Sequence, residues 1–228
     1  MLVRPLATTT RSHLVSRPYI HVNFATDGRE WPGGAAVSIS CEADWRRVHT
    51  LRERYDAVAV GAHTWNLDHP RLTVRHERLG REPQRQPARA IFAGTQGCRV
   101  MEHDGPVFLI GAPGLACCGA TVIASYDHNL LPPLESLYCH GIHSMLVEGG
   151  PTILHSFFSQ GLADAVTVFV RTRDEEAAHR IARTALPCLP SSLLASRFGE
   201  GFLLAAMRAP ADQTPAQSAA SITGRAES

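Results

Sequence analysis

The chain has 228 residues, 44% of them hydrophobic and 19% charged, with a formal net charge of +1. That length suffices for one large domain or two small ones around a sizeable core. The near-neutral balance makes no electrostatic case for nucleic acid or another acidic partner, and no apolar run approaches the ~18 residues of a membrane span.

In chain order, the first 16 residues carry arginines and hydroxyls, and no acid precedes Asp27. The composition faintly resembles a transit peptide, but a short flexible leader over 1–16 is the expectation. Pro18 to Ala25 alternates and is β-rich, so it reads as the first strand. Asp27-Gly28, Trp31-Pro32 and Gly33-Gly34 then supply turn signals. Ser40 to Arg54 opens on a capping serine followed by Glu42 and Asp44, and Trp45, Val48 and Leu51 recur at helical spacing.

Ala57 to Val60 is a short apolar strand running into Gly61, with a strand-to-helix turn near Thr64-Trp65. The polar, Pro-bearing stretch from His76 to Pro87 reads as a surface loop. Three short strands follow in "ARAIFAG", "GPVFLIGAP" and "ATVIAS". "PPLESLYCHGI" opens with proline and reads as a helix, followed by the strand "HSMLVEGG". "TILHSFFSQGL" is the next helix, with Gly161 as its stop, and "ADAVTVFV" and "GFLLAAMRA" are strands.

Strands alternating with helices predict an α/β fold, a mostly parallel mixed sheet with helices on both faces. One folded domain is expected over 17–208. The Ala-, Ser-, Pro- and Gln-rich tail over 209–228 has little to bury and should be disordered. The six cysteines form no C-x-x-C pair, so they read as reduced thiols of a cytoplasmic protein. Cys139-His140-Gly141-Ile142-His143 invites a metal reading, but no second ligand pair accompanies it. A helix end and loop is the better reading, and no metal is expected.

In such sheets ligands lie beyond the carboxyl ends of strands, at helix N-termini. Two places qualify. At Val147 to Leu154, Gly149 and Gly150 let a ligand approach the backbone, and Pro151 suits a first helical turn. Such a turn suits a phosphate, yet many glycine pairs hold nothing. Glu148 could bind ring N–H or ribose hydroxyl donors, or simply cap the next helix. At Val60 to Arg75, Thr64, Asp68 and the arginines could hold a phosphorylated molecule. Arg52 and Arg75, taken singly, read equally as solvated surface charges.

Together these blocks resemble the reductase domain of riboflavin biosynthesis, the C-terminal half of a bifunctional deaminase/reductase. "RPYIHVNFATDG" is similar to its R-P-Y-V strand and S-x-D-G turn. "LRERYDAVAVGAHTWNLDHPRLTVR" resembles L-R-x-x-x-D-A-I-x-V-G-x-x-T-x-x-x-D-D-P-x-L-T-V-R. "RQPAR" and "MLVEGGPTILHSFFSQGLADAV" match Q-P-x-R and V-E-G-G-P-T-L…G-L-V-D-E. The resemblance implies a three-layer dihydrofolate reductase-like fold, a homodimer, and NADPH-dependent reduction of a ribosylamino-pyrimidine 5′-phosphate to the ribitylamino form.

It also implies sites. Thr64, Asp68, Gly149, Gly150, Pro151, Thr152, Ile153 and Leu154 fall at the cofactor. Arg52, Leu72, Arg75 and Glu148 fall at the substrate, with the two arginines clamping its phosphate. Asp27 and Glu148 are the catalytic candidates.

The chain departs from the family pattern at Ala25, Ser38, His69 and Gly94, and "RTRDEEAAHR" replaces the usual P-x-x-x-G after Val170. These departures leave open a different pyrimidine or pteridine-like substrate, or a silent nucleotide-binding homologue. The chain has no H-x-E partnered with P-C-x-x-C, so zinc deamination is not expected.

Overall fold

A computed structural model describes residues 16–29, 39–98, 105–112, 119–125 and 127–208. The predicted leader (Ser16 apart), the predicted tail, Ser38 and the turn signals at Trp31-Pro32 and Gly33-Gly34 lie outside them. Tyr19–Thr26 forms β1, Glu42–Arg54 α1, Ala57–Gly61 β2 and Ala62–Asp68 α2. His76–Leu79 makes the single turn α3, and Ala88–Gly94, Val107–Gly111 and Thr121–Ala124 make β3, β4 and β5. Leu131–Cys139 is α4, Ser144–Val147 β6, Pro151–Ser159 α5 and Ala165–Val170 β7. Glu175–Ala185 is α6, and Leu194–Phe198 and Gly201–Met207 are the last strands, β8 and β9.

The strands form a nine-stranded sheet in the order β5-β4-β3-β2-β6-β1-β7-β9-β8. It is parallel except where β9 pairs antiparallel with β7 and β8. Strand alternation assigns the two faces. Ile20, Val22 and Phe24 of β1 pack with Leu134 and Leu137 of α4, Leu154 and Phe157 of α5, and Ala178 and Ala182 of α6. The opposite face joins Val58, Val60 and Leu146 to Trp65 of α2, with Leu51 of α1 packed against it. Helices therefore cover both faces, as expected. Phe157 and Leu154 are fully buried, each stabilising the fold by roughly 1.5–3 kcal/mol relative to exposure.

The central strands β2 and β6 have buried side chains on both faces, which explains their unbroken apolar runs. Gly161 adopts φ +64 just past α5, as its place in the sequence predicts. Cys139 ends α4, and the His140 ring bonds back to the Ser136 carbonyl at 2.8 Å, so this cluster is a helix end.

Two elements went unread in the sequence, and one expectation needs correction. The "RTRDEEAAHR" stretch opens α6, and Asp174 caps it by accepting the Ala177 N–H at 2.6 Å. Strand β8 went unpredicted because half of it faces solvent and its sequence is mixed; pairing with β9 makes it a strand. Ser40 does not cap α1 through its side chain. Its hydroxyl donates to Asp44 Oδ2 at 2.6 Å, and Cys41 occupies the N-cap.

Candidate active site

The neighbouring strands β2, β6 and β1 end side by side, and their carboxyl ends carry the site. The Glu148 N–H donates to Ala59 O at 2.8 Å, which fixes the residue directly after β6 against β2. Glu148 is not a helix cap: Gly150 occupies the N-cap of α5, with no side-chain cap hydrogen bond. Its carboxylate instead meets Arg52 of α1 at two points, Arg52 Nε to Oε1 at 2.9 Å and Nη2 to Oε2 at 2.6 Å. A third Arg52 donor, Nη1, reaches Thr73 O at 3.0 Å. Burial alone would lower the Arg52 guanidinium, but the Glu148 charge and hydrogen bonds outweigh it and hold it above its ordinary value.

Two cavities flank Glu148 and Gly149. The larger, about 390 Å³, is lined by Gly61, Thr64, Asp68 and the turn from Glu148 to Ile153. Gly149 is required there, because a Cβ would collide with Cγ2 of Ile153. The first-turn amides of Thr152 and Ile153 have no intrahelical acceptor, whereas the Gly150 N–H is taken by Thr64 Oγ1 at 3.2 Å. A bare glycine turn, uncapped amides and an adjoining cleft fit a pyrophosphate.

The smaller cavity, about 190 Å³, is lined by Asn23, Phe24, Ser40, Asp44, Trp45, Arg52 and Glu148 among others. Its polar wall is a connected network. Arg47 donates to Asp44, to Asn23 Oδ1 at 2.8 Å and to Thr167 Oγ1 at 3.2 Å. The Thr167 hydroxyl donates to Asn23 Oδ1 at 2.8 Å, so its 2.9 Å contact with His21 Nε2 requires the proton on that nitrogen. His21 Nδ1 then accepts from the Tyr55 hydroxyl at 2.7 Å. Burial, reinforced by the Arg47 charge, pushes His21 down to about 4, and burial pushes Tyr55 up to about 12. Both groups are therefore neutral near pH 7.

A loop from His69 to Arg75 lines neither cavity but meets Arg52, and it is pinned by four side chains, two from α1, one from β3 and one from the approach to β3. Arg89 of β3 donates to Arg71 O at 2.8 Å, and Arg52 holds Thr73 O. Gln86 takes both the Val74 N–H and the Val74 carbonyl at 2.8 Å. His49 Nδ1 accepts the Arg75 N–H at 3.0 Å. Between these pins Leu72 sits at φ +54, uncommon for a bulky side chain. The Arg75 side chain is exposed with no ion pair among the described residues. Partial burial and repulsion from Arg78 and Arg52 lower its guanidinium below the ordinary value, a field that favours an incoming anion.

The structure thus brings Thr64, Asp68, Glu148, Gly149, Gly150, Pro151, Thr152, Ile153 and Arg52 onto two adjoining cavities. It does not form the expected two-arginine clamp, because the Arg52 fork faces Glu148. The Leu154 and Leu72 side chains are buried in the two cores, leaving only their backbones for a ligand. Asp27 follows β1, accepts the Arg29 N–H at 3.1 Å, and lines neither cavity. Sequence reasoning missed Asn23, Asp44 and Trp45 on the wall of the smaller cavity. Asn23 and Asp44 had one available signal, a polar residue inside an apolar strand and another on the inner side of a helix.

The matching family profile is the RibD C-terminal domain, over residues 18–172. The chain belongs to the RibD C-terminal domain family. It is 35% identical over 172 residues to 2,5-diamino-6-ribosylamino-4(3H)-pyrimidinone 5′-phosphate reductase of Methanothermobacter thermautotrophicus, covering 68% of this chain and 77% of that protein. The reductase of the same name from Archaeoglobus fulgidus is 32% identical, covering 67% and 80%. In fold, the chain is similar to the deaminase/reductase of Thermotoga maritima, with TM-score 0.63 and 24% identity over 83% of this chain. The chain spans 56% of that protein's length. No described helix is long and apolar enough to cross a membrane.

Proposed function

We propose that this member of the RibD C-terminal domain family reduces a ribosylamino-pyrimidine 5′-phosphate to its ribitylamino counterpart, with NADPH as reductant. One observation carries the reading. Glu148 and Gly149 wall both cavities, so a dinucleotide on the glycine side and a sugar phosphate on the arginine side would meet there. The names of the two reductase relatives support this substrate class.

NADPH, when bound, supplies a hydride for the sugar carbon C1′. The chain's own contribution is placement. Gly149 opens the backbone, Thr64 braces the turn through Gly150, and the Thr152 and Ile153 amides face the cofactor's phosphates. Asp68, on the rim of the same cavity, accepts from cofactor hydroxyls. Arg75 takes the substrate phosphate, with the Leu72 backbone beside it. Glu148, held by Arg52, keeps lone pairs for substrate donors, and Asn23 and Asp44 complete a polar wall around the ring. No nucleophile is required, and Asp27 is given no step. Enclosure and alignment of the two reacting carbons do most of the work.

The same reading makes the protein a cytoplasmic homodimer. The described cysteines are free thiols. Tyr19, Leu194 and Met207 are exposed hydrophobics on one side of the sheet, the side that α1 leaves partly uncovered. The direct test mixes the purified protein with NADPH and 5-amino-6-(5-phosphoribosylamino)uracil or its diamino-pyrimidinone analogue. Nicotinamide absorbance should fall as ribitylamino product appears by mass spectrometry, and faster than with NADH. Tight NADPH binding without turnover of either substrate would overturn the assignment.

A further inference from the structure

His49 belongs to neither cavity, yet it is fully buried and makes one directed contact, from its Nδ1 to the Arg75 N–H at 3.0 Å. Accepting that N–H requires a bare Nδ1 and places the ring proton on Nε2. Among the described residues, Nε2 is the one buried side-chain nitrogen or oxygen without a hydrogen-bond partner. A buried donor left unmade is a standing cost, which a residue chosen only for packing would not carry. An apolar side chain of similar size would fill the space between Trp45 and the arginines without it. What a leucine cannot supply is the acceptor for Arg75.

We infer that His49 is a positioning residue for substrate: by accepting the Arg75 N–H it fixes the backbone from which Arg75 meets the phosphate. The last residue of the pinned loop is Arg75, whose carbonyl caps α3 by accepting the Arg78 and Leu79 N–H groups at 3.1 and 3.2 Å; on its N–H side, toward the loop, His49 is the acceptor. The neighbouring pins serve Arg71, Thr73 and Val74. Releasing Arg75 lets its side chain sample orientations that the repulsion of Arg52 and Arg78 favours, away from the phosphate. The inference rests on the proposed binding of substrate phosphate by Arg75.

Asparagine and glutamine divide the two ring nitrogens, since Asn Oδ1 stands near the position of Nδ1 and the Gln amide near that of Nε2. His49→Leu and His49→Gln should each raise KM for the phosphorylated substrate about tenfold, with kcat and KM for NADPH within about twofold. His49→Asn should recover most of the loss. With the dephosphorylated substrate, wild type and His49→Leu should perform alike. Amide hydrogen exchange at Arg75 should quicken in His49→Leu and slow again in His49→Asn.

Equal losses in the Leu and Asn variants, a penalty that persists without the phosphate, or unchanged exchange at Arg75 would each overturn the inference. The phosphate reading fails separately: Arg75→Ala would then leave substrate KM unchanged, while the exchange experiment still reports whether His49 holds the Arg75 backbone.

Discussion

Arg52 and Glu148 form a two-point ion pair, at 2.9 and 2.6 Å, on the partition between the two cavities. Both side chains are nearly buried, at 11% and 13% exposure. Removing one partner from such a pair leaves an uncompensated charge, whereas replacing both by apolar groups is often tolerated. Glu148→Leu should therefore cost about 3 kcal/mol in urea denaturation, and adding Arg52→Met should return much of it. Both variants should be inactive. Additive stability losses would show that the pair is not coupled.

Arg75→Ala separates function from stability. The side chain is exposed, and burial with repulsion from Arg78, Arg52 and Arg71 outweighs the attraction of Glu77. Unfolding free energy should stay within about 0.5 kcal/mol of wild type or rise slightly. Substrate KM should rise about ten- to a hundredfold, with KM for NADPH little changed. An equal rise in both constants would mean that the cation serves the cofactor.

At the glycine turn, Gly149→Ala and Gly150→Ala should differ. A Cβ on Gly149 drives into Ile153, which is held by the core, whereas a Cβ on Gly150 lies 3.3 Å from the Thr64 hydroxyl. The first should cost about 1–3 kcal/mol and abolish NADPH binding in a fluorescence titration. The second should weaken binding with a smaller stability loss. Identical behaviour would argue against the close approach assigned to Gly149.

Acid sensitivity follows from two buried histidines. Burial, with nearby arginine charge, holds His21 down to about 4 and His49 down to about 3. The unfolded chain takes up these protons near pH ~6.5, so it binds more protons than the native state below that pH. Stability should be full above pH ~6.5 and fall progressively toward pH 4, by on the order of 1–2 kcal/mol per histidine between pH 7 and 5. Urea midpoints across that range measure it. His49→Leu should flatten the slope, and an unchanged slope would remove His49 as a source.

The proposed homodimer makes a simple prediction. Met207 is 77% exposed, and Leu194 on the neighbouring edge strand is 81% exposed. If a second copy covers this side of the sheet, Met207→Asp should shift sedimentation from dimer to monomer without unfolding the protein. A monomeric wild type would rule the assembly out.

Much of this protein was legible residue by residue. The apolar runs at β2 and β6, the glycine turn before α5 and the stop at Gly161 depend on local chemistry, so they read directly from sequence. Helix α6 was legible too: Asp174, Glu175 and Glu176 mark a start, and Ala178, Ile181, Ala182 and Ala185 recur at helical spacing. Strand β8 had no comparable signal, since pairing with β9 rather than its own residues defines it.

By itself, the sequence determined which residue types stand at the strand ends, because periodicity and turn chemistry act over a few neighbours. The tertiary structure alone decided what those residues do to one another. Arg52 and Glu148, far apart in the chain, neutralise each other because parallel strands bring α1 over the end of β6. Arg75 is left exposed with no ion pair among the described residues, and His49 accepts its N–H. Such partnerships depend on distance and desolvation across the fold, and neither quantity is written in spacing along the chain.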